Sequence, residues 1–400
     1  MKKVYLIGTG TNGTNTLTFE AAEAIRNAEI LIGASRMLKP YADTEKQIYQ
    51  AYQPEQITAI IESASENSAA ILLSGDCSFF SGASKLLALT KRWDVTVIPG
   101  ISSLSAFCAK CCISYENMRF ITLHGTDGNI AVHAKMNQNC FFLLGGNMDA
   151  AAVCSRLCEY GLSHIQVHIG WNLGYENETI LHGTPSDFTG TICEHLSIMI
   201  TENKGYLRFI PSAIPDSDFI REKVPMTKAE IRCNAVAALH IPHDAVCWDI
   251  GCGTGSVSVE MGFRCPDGQV FAFDRNPSAV QLTEQNAHKF ACDHIHAIAG
   301  SCPDILQNYP APEAVFIGGA SGKIKSILNL VETKNPNAAI AMTVISIETL
   351  LEAKTVLDEK CIQTQISQIA VTRTKTIGSH TMPDTLNPVW LITGRLKCSV

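Results

Sequence analysis

Val246-Cys247-Trp248-Asp249-Ile250-Gly251-Cys252-Gly253-Thr254-Gly255 decides how the second half of this chain is read. It reads as a buried strand that ends in an acid and turns through three glycines into a helix. Glycine lets the backbone turn tightly and come close to a ligand. The next strand, Gln269-Val270-Phe271-Ala272-Phe273-Asp274, closes with a second acid, 19 residues after Gly255 (274 − 255). A glycine loop, a helix and an acid ending strand two together make a nucleoside pocket, because a carboxylate there can take a ribose diol.

Working outward, 400 residues suggest two or three domains, each with its own core. Charged residues at 17% and apolar ones at 46% describe a packed globular chain. A net charge of −7 argues against a nucleic-acid binder. It leaves room for a local basic pocket that holds an acidic small molecule. Lys2 and Lys3 precede an apolar run, but Gly8 ends it too early for a signal-peptide core. No stretch approaches the roughly 18 apolar residues of a membrane span. A cytoplasmic protein is therefore expected, with its 16 cysteines reduced and packed as small apolar residues.

The expected fold class is α/β with two domains, 1–210 and 211–400. In the first, strands are expected at 3–8, 29–33, 70–74 and 94–98, with a helix over 18–28. Further strands are expected at 119–123, 140–144, 165–169 and 196–201. Asn203–Val224, with Pro211, Pro215 and Asp216-Ser217-Asp218, reads as the junction. The pattern then restarts with strands at 246–250, 269–274, 295–299, 314–318 and 338–345. Two late strands, 364–373 and 388–396, have no good helix between them. Together they make a seven-stranded sheet.

The first half opens with its own loop, Gly8-Thr9-Gly10-Thr11-Asn12-Gly13, a literal G-x-G-x-x-G. Strand two ends Ile32-Gly33-Ala34-Ser35, with no carboxylate for a ribose, so the nicotinamide reading is weak. A plain tight turn also accounts for Gly13. Two more small-residue loops follow later strands, Ser74-Gly75-Asp76-Cys77-Ser78 and Pro99-Gly100-Ile101-Ser102-Ser103. Three such loops can line one crevice at the carboxyl edge of a sheet. Together with Asn172-Leu173-Gly174-Tyr175 and His182-Gly183-Thr184, they resemble the tetrapyrrole (corrin and porphyrin) methylases over about residues 1–205. The resemblance implies that these loops hold S-adenosylmethionine (SAM), with Gly8, Gly10, Gly75, Asp76, Ser102 and Ser103 as the binding residues. That family usually has Gly-Asp-Pro where this chain has Gly75-Asp76-Cys77. Cysteine frees a torsion that proline fixes, so a looser loop that still binds is expected.

In the second half, the D-x-G-x-G-x-G form resembles Rossmann-like SAM methyltransferases. Met226-Thr227-Lys228-Ala229-Glu230-Ile231-Arg232, Phe273-Asp274-Arg275-Asn276-Pro277, Ala299-Gly300-Ser301 and Val315-Phe316-Ile317-Gly318-Gly319 narrow the likeness. The series resembles the decarboxylating C15 methyltransferases of cobalamin synthesis. Amino-methylases usually place Asn/Asp-Pro-Pro-aromatic at the fourth motif; Gly318-Gly319 leaves room for a bulky ring instead. The resemblance implies that Asp249, Gly251, Gly253 and Gly255 shape the methionine end of the SAM site. Asp274 would hold the ribose, Gly300 and Ser301 would lie near the adenine, and Thr227 and Lys228 would close the pocket. Many relatives carry an acid where this chain has Ser301. Asp274 also fits a solvated turn acid, and Lys228 a solvated helix-start lysine.

Some signals are set aside. Cys292-Asp293-His294-Ile295-His296 gathers ligand-type residues, but it lies where the sheet needs its third strand. Gly319-Ala320-Ser321-Gly322-Lys323 lacks a Walker motif's first glycine and its Ser/Thr. Asn387-Pro388-Val389-Trp390 resembles an amino-methylase motif but follows the wrong strand.

The whole chain resembles the fused C5,15-methyltransferases (decarboxylating) of precorrin-6Y. This implies two SAM sites per chain and a tetrapyrrole substrate, with or without cobalt. It implies no dedicated nucleophile, no protein metal, no nucleic-acid or membrane partner, and a homo-oligomer. The alternatives are a SAM-dependent RNA methyltransferase and a non-catalytic SAM or tetrapyrrole binder. The acidic balance counts against RNA.

Overall fold

Lys3–Gly8 (β1) has a paired strand on each side in the first sheet, and Val4, Leu6 and Ile7 have no exposed surface. A strand covered on both faces reads as a continuous apolar run. The computed structural model describes residues 2–89, 92–125, 127–190, 197–319 and 322–397. The chain gathers into two compact units.

The first unit comprises Met1–Gly128, Asn139–Ala152 and Gln166–Glu202. Its first sheet adds Ile30–Gly33 (β2), Gln47–Gln50 (β3), Ser68–Leu73 (β4) and Asp94–Ile98 (β5) to β1, all parallel, in the order β3-β2-β4-β1-β5. Helix Phe19–Asn27 starts where Thr18 accepts the Ala21 N–H, and it buries Ala21, Ala24 and Ile25, spaced as one helical face. A second, mixed sheet holds Arg119–Thr122 (β6), Asn139–Leu143 (β7), Gln166–Trp171 (β8), Thr179–Gly183 (β9) and Ser197–Glu202 (β10), in the order β6-β7-β10-β8-β9. Helix Ser103–Cys111 lies on this sheet. A Cβ on Gly170 of β8 would come within 2.6 Å of the Phe107 ring.

The second unit comprises Asn129–Gln138, Val153–Ile165 and Asn203–Val400. Its strands are Val246–Ile250 (β11), Gln269–Asp274 (β12), Ile295–Ala299 (β13), Ala314–Ile317 (β14), Ala339–Val344 (β15), Cys361–Ile369 (β16), Thr372–Ile377 (β17), His380–Thr385 (β18) and Val389–Leu396 (β19). Seven of them form one sheet, β13-β12-β11-β14-β15-β19-β16, parallel except for β19, which is antiparallel to both neighbours. Alternate residues serve alternate faces. Cys247, Ala272, Ala314 and Ala341 pack toward helix Ser256–Arg264 on one face. Trp248, Phe273, Val315 and Ile340 pack toward helices Ile324–Lys334 and Ile347–Lys360 on the other. Two α/β units and a seven-stranded sheet are the architecture expected from sequence.

Three local features differ from expectation. β3 and β9 were not anticipated; they are edge strands with half-exposed residues and little apolar pattern. The late strand expected at 364–373 is Cys361–Ile369, and a separate exposed hairpin, β17–β18, follows it. The Asn203–Val224 stretch is anchored rather than loose. Ile214 and Phe219 are buried, and the Asp216 carboxylate accepts the Ala229 N–H at 3.0 Å. Prolines remove periodicity, but a few buried anchors suffice to pin such a segment.

Cys292–His296 has packing work to do. The Asp293 carboxylate accepts the backbone N–H groups of Ile130, Ala131 and Val132 at 2.8, 3.0 and 3.1 Å. It therefore caps helix Ala131–Met136, whose own N-cap side chain makes no such bond. The buried His294 ring pairs with the Gly262 carbonyl at 3.0 Å. The described cysteines are free thiols. Among the described residues no helix is long and apolar enough to cross a membrane.

Candidate functional site

The strand order of the large sheet reverses between β11 and β14, and ligands of open α/β sheets bind at such a reversal. The loops after these two strands meet there. A Cβ on Gly251 (φ +80°) would lie 3.0 Å from the Gly319 amide, so only glycine permits both the turn and the approach. In front of them is a cavity of about 810 Å³. Thr227, Gly251, Gly253, Asp274, Gly300 and Ser301 line it, with Lys228 at the start of helix Ala229–Ala238.

Asp274 stands at the end of β12. Its Oδ2 accepts the Gly253 N–H at 3.1 Å and its Oδ1 the Asn276 N–H at 2.9 Å. It thus ties the glycine loop to the next strand and keeps free lone pairs facing the cavity. Gly300 donates its N–H to the Asp274 carbonyl at 2.9 Å, which brings the third loop alongside.

Asp249 and Gly255 lie beneath the loop and do not line the cavity. Gly255 (φ +74°) is the N-cap of helix Ser256–Arg264, and a Cβ there would meet Thr283 at 2.8 Å. Asp249 is fully buried, and the Ser258 hydroxyl donates to its Oδ2. Its Oδ1 has no hydrogen-bond partner among the described residues. Burial raises its pKa from 3.8 to about 7, against the Ser258 hydrogen bond and with help from the Asp274 charge.

The rim of the cavity is basic. Lys228, Arg275 and Lys323 bring three cations to a wall whose one acid is Asp274. Lys323 donates to the Ser301 hydroxyl at 3.0 Å. It had been seen only as part of a rejected phosphate loop, of which Ala320 and Ser321 lie outside the described residues. Asn387 and Val389 also line the cavity. β19 runs antiparallel to β15, with Trp390 opposite Val344, so its start reaches the same sheet edge as the glycine loops.

In the first unit the three glycine loops converge at the carboxyl edge of β1, β4 and β5. Gly10 and Gly75 exchange both backbone hydrogen bonds at 3.0 Å. A Cβ on Gly8 would lie 2.6 Å from the Gly100 amide and 2.7 Å from the Gly75 carbonyl. Asp76 Oδ1 accepts the Gly100 N–H at 3.2 Å, and Ser102 caps helix Ser103–Cys111 by accepting the Ser105 N–H at 3.0 Å. Beside these loops is a cavity of about 210 Å³ lined by Thr9, Gly10, Arg36, Ser74 and Tyr175, among others. Of the six residues expected to bind SAM in this half, Gly10 is the one on its wall; Gly8, Gly75, Asp76, Ser102 and Ser103 form the loop junction beside it.

The loop after Gly75-Asp76 is tied down, not loosened. Cys77 is buried, and its thiol donates to the Leu6 and Ile98 carbonyls at 3.5 Å each. Burial, then the Asp76 charge, push that thiol up to about 11, so it keeps the proton it donates. Cysteine thus replaces a torsional restraint with one S–H shared between carbonyls of the two flanking strands.

Residues 3–189 match the family model of tetrapyrrole (corrin/porphyrin) methylases, and residues 218–394 that of the precorrin methyltransferase domain. The chain is similar to a probable cobalt-precorrin-6B C(15)-methyltransferase (decarboxylating) of Pyrobaculum calidifontis, 37% identical over 183 residues, covering 45% of this chain and 94% of the relative. The corresponding protein of Methanothermobacter thermautotrophicus is 33% identical over 183 residues, with 45% and 94% covered. Among solved structures, a precorrin-6Y C5,15-methyltransferase of Geobacter metallireducens GS-15 matches with a TM-score of 0.44 and 30% identity, over 46% of this chain and 97% of that one.

Proposed function

The chain belongs to the precorrin methyltransferase family, and from that premise we propose that it methylates precorrin-6Y, or its cobalt form, at C5 and C15 in cobalamin synthesis. The ring C acetate side chain would lose its carboxyl group as carbon dioxide and remain as a methyl group, the electron pair of the broken C–C bond passing into the conjugated ring before a proton takes the carboxyl group's place. Residues 1–210, with the tetrapyrrole methylase match, would carry C5 methylation; residues 211–400 would carry C15 methylation and decarboxylation.

The observation that carries this reading is the cavity at the strand-order reversal, with a glycine shelf, one acid and a basic rim. Its volume of about 810 Å³ lies within the usual range for small-molecule sites. The carboxylate of Asp274 suits a ribose diol, and the loop glycines, having no side chains, leave room for the methionine end. SAM, when bound, supplies an electrophilic methyl group on a sulfonium. The residues of the chain then have three tasks. Gly318 and Gly319 have no side chains, so a flat macrocycle can lie against that shelf. Lys228, Arg275 and Lys323 pair with the peripheral carboxylates and fix the meso carbon in line. The apolar side chains of Phe316, Ile345 and Val389 exclude water and leave the acetate's carboxylate poorly solvated, which favours its loss as neutral carbon dioxide. No side-chain nucleophile is needed, because the meso carbon attacks the methyl group itself.

In the first unit, Gly8, Gly10, Gly75, Asp76, Ser102 and Ser103 would hold a second SAM. We expect a cytoplasmic homo-oligomer. The test is mass spectrometry of the product formed from precorrin-6Y and from its cobalt form. Two added methyl groups with loss of one carboxyl group are expected from at least one of them. Methyl transfer to RNA with neither tetrapyrrole altered would overturn the assignment.

A further inference from the structure

Three side chains that the methylation chemistry does not use meet in the first unit. Helix Ser103–Cys111 rests Phe107 on Gly170 of β8. One helical turn later, Cys111 comes to His168, two residues back along the same face of β8. His182 of β9 stands directly opposite His168 in the β8–β9 register. Cys111 Sγ and one nitrogen of each imidazole lie within 4.8 Å of one another. The two Nδ1 atoms are 2.6 Å apart. At that distance the rings share one N–H and the two Nδ1 atoms face each other. The far nitrogen of His168, Nε2, faces the Glu202 carboxylate of β10 at 3.5 Å.

We propose that Cys111, His168 and His182 bind a divalent cation of the zinc class, with water completing a tetrahedral site. One thiolate and two imidazoles are a zinc ligand set, and a closed all-oxygen cation site would look quite different. Zinc–nitrogen bonds of about 2.0–2.1 Å at tetrahedral angles put two nitrogens about 3.3 Å apart. The rings need only separate by about 0.7 Å from their present 2.6 Å. His182 is exposed, so the fourth position is open to solvent. Glu202 is placed to accept the Nε2 proton of His168, the carboxylate–histidine–metal arrangement that fixes a ligand's tautomer. A cation bound there would tie the last turn of helix Ser103–Cys111 to β8 and β9, while the first turn of that helix carries Ser103 of the glycine-loop junction.

The test uses the tag-free full chain, stripped with chelator. It is titrated with zinc chloride by calorimetry and with cobalt(II) chloride by absorption. One equivalent of zinc, a thiolate-to-cobalt charge-transfer band and a higher melting temperature in zinc are expected. Cys111→Ser should abolish the band, and His182→Ala should weaken zinc binding at least tenfold, with circular dichroism unchanged in both. No charge-transfer band in the unsubstituted chain, or zinc affinity unaltered by both substitutions, would overturn the site and leave a histidine–histidine hydrogen bond.

Discussion

Asp274 and Asp249 show how two acids in one motif take different work. Asp274 is half-buried and holds the Gly253 and Asn276 amides while facing the cavity. Losing hydrogen bonds to a charged group costs about 1.5–3 kcal/mol, so Asp274→Ala should weaken S-adenosylhomocysteine binding in the second unit about tenfold or more. Given precorrin-6Y, this variant should still add a methyl group at C5, while C15 methylation and carbon dioxide release fall together. Equal loss of both methylations in a folded variant would sink the two-site reading. Asp249 is a stability group. Its pKa rises from 3.8 to about 7 on folding because of burial, so the folded chain holds a proton that the unfolded chain releases between those values. Its contribution is full at low pH and is lost as pH rises toward 7, with a slope of up to about 1.4 kcal/mol per pH unit. Asp249→Asn cannot titrate and should flatten the fall in urea midpoint over that window. An unchanged slope would exonerate Asp249.

At the scale of elements, the second unit's entrance is held by one buried arginine. Arg232 has no exposed surface and donates to Glu260 at 2.6 Å, to the Thr227 carbonyl at 2.7 Å and to Asp216 at 3.3 Å. It also lies 4.8 Å from the centre of the Phe219 ring. It therefore joins helix Ala229–Ala238 to helix Ser256–Arg264 and to the strand-less stretch before Lys228. Arg232→Ala strands the buried Glu260 and should cost about 3–5 kcal/mol in urea unfolding, the range for breaking a buried pair. Arg373 grips the outer side of the same network from β17, reaching Glu230 and Asp216. Its side chain is 37% exposed, so water screens the pairing. Arg373→Ala should cost less than about 1 kcal/mol overall, yet speed hydrogen exchange across Thr372–Thr385. Equal global losses in the two variants would contradict this ranking.

For the whole molecule, the proposed pair of SAM sites predicts a calorimetric stoichiometry near two for S-adenosylhomocysteine. A clean value of one would show that one glycine-loop system does not bind. A fragment of residues 211–400 should retain one of these sites. It also loses segments 129–138 and 153–165, which belong by contact to the second unit. Asp293 would lose its three amide partners and Val132 would leave the core. Such a fragment should bind ligand but melt lower than the same unit in the full chain. An identical melting temperature would mean that these contacts contribute nothing.

Periodicity and glycine chemistry made the two α/β units, the seven-stranded sheet and the positions of both loop systems readable from sequence. Strands such as β1, β11 and β12 are buried on both faces, so their identity is written into consecutive apolar residues. The place of Asp274 on the cavity wall was legible because an acid ending strand two stands at the edge where the loops gather. What only the tertiary structure decided are features that depend on distant partners. Asn387 looked misplaced until antiparallel β19 carried it to the cavity edge. Cys77 looked like a loosened loop until its thiol met carbonyls from β1 and β5. Lys323 gained meaning through Ser301, and Cys111 through two histidines on neighbouring strands. A local sequence pattern records which face a residue presents, whereas the partner it meets is set by how strands order and register in the folded sheet.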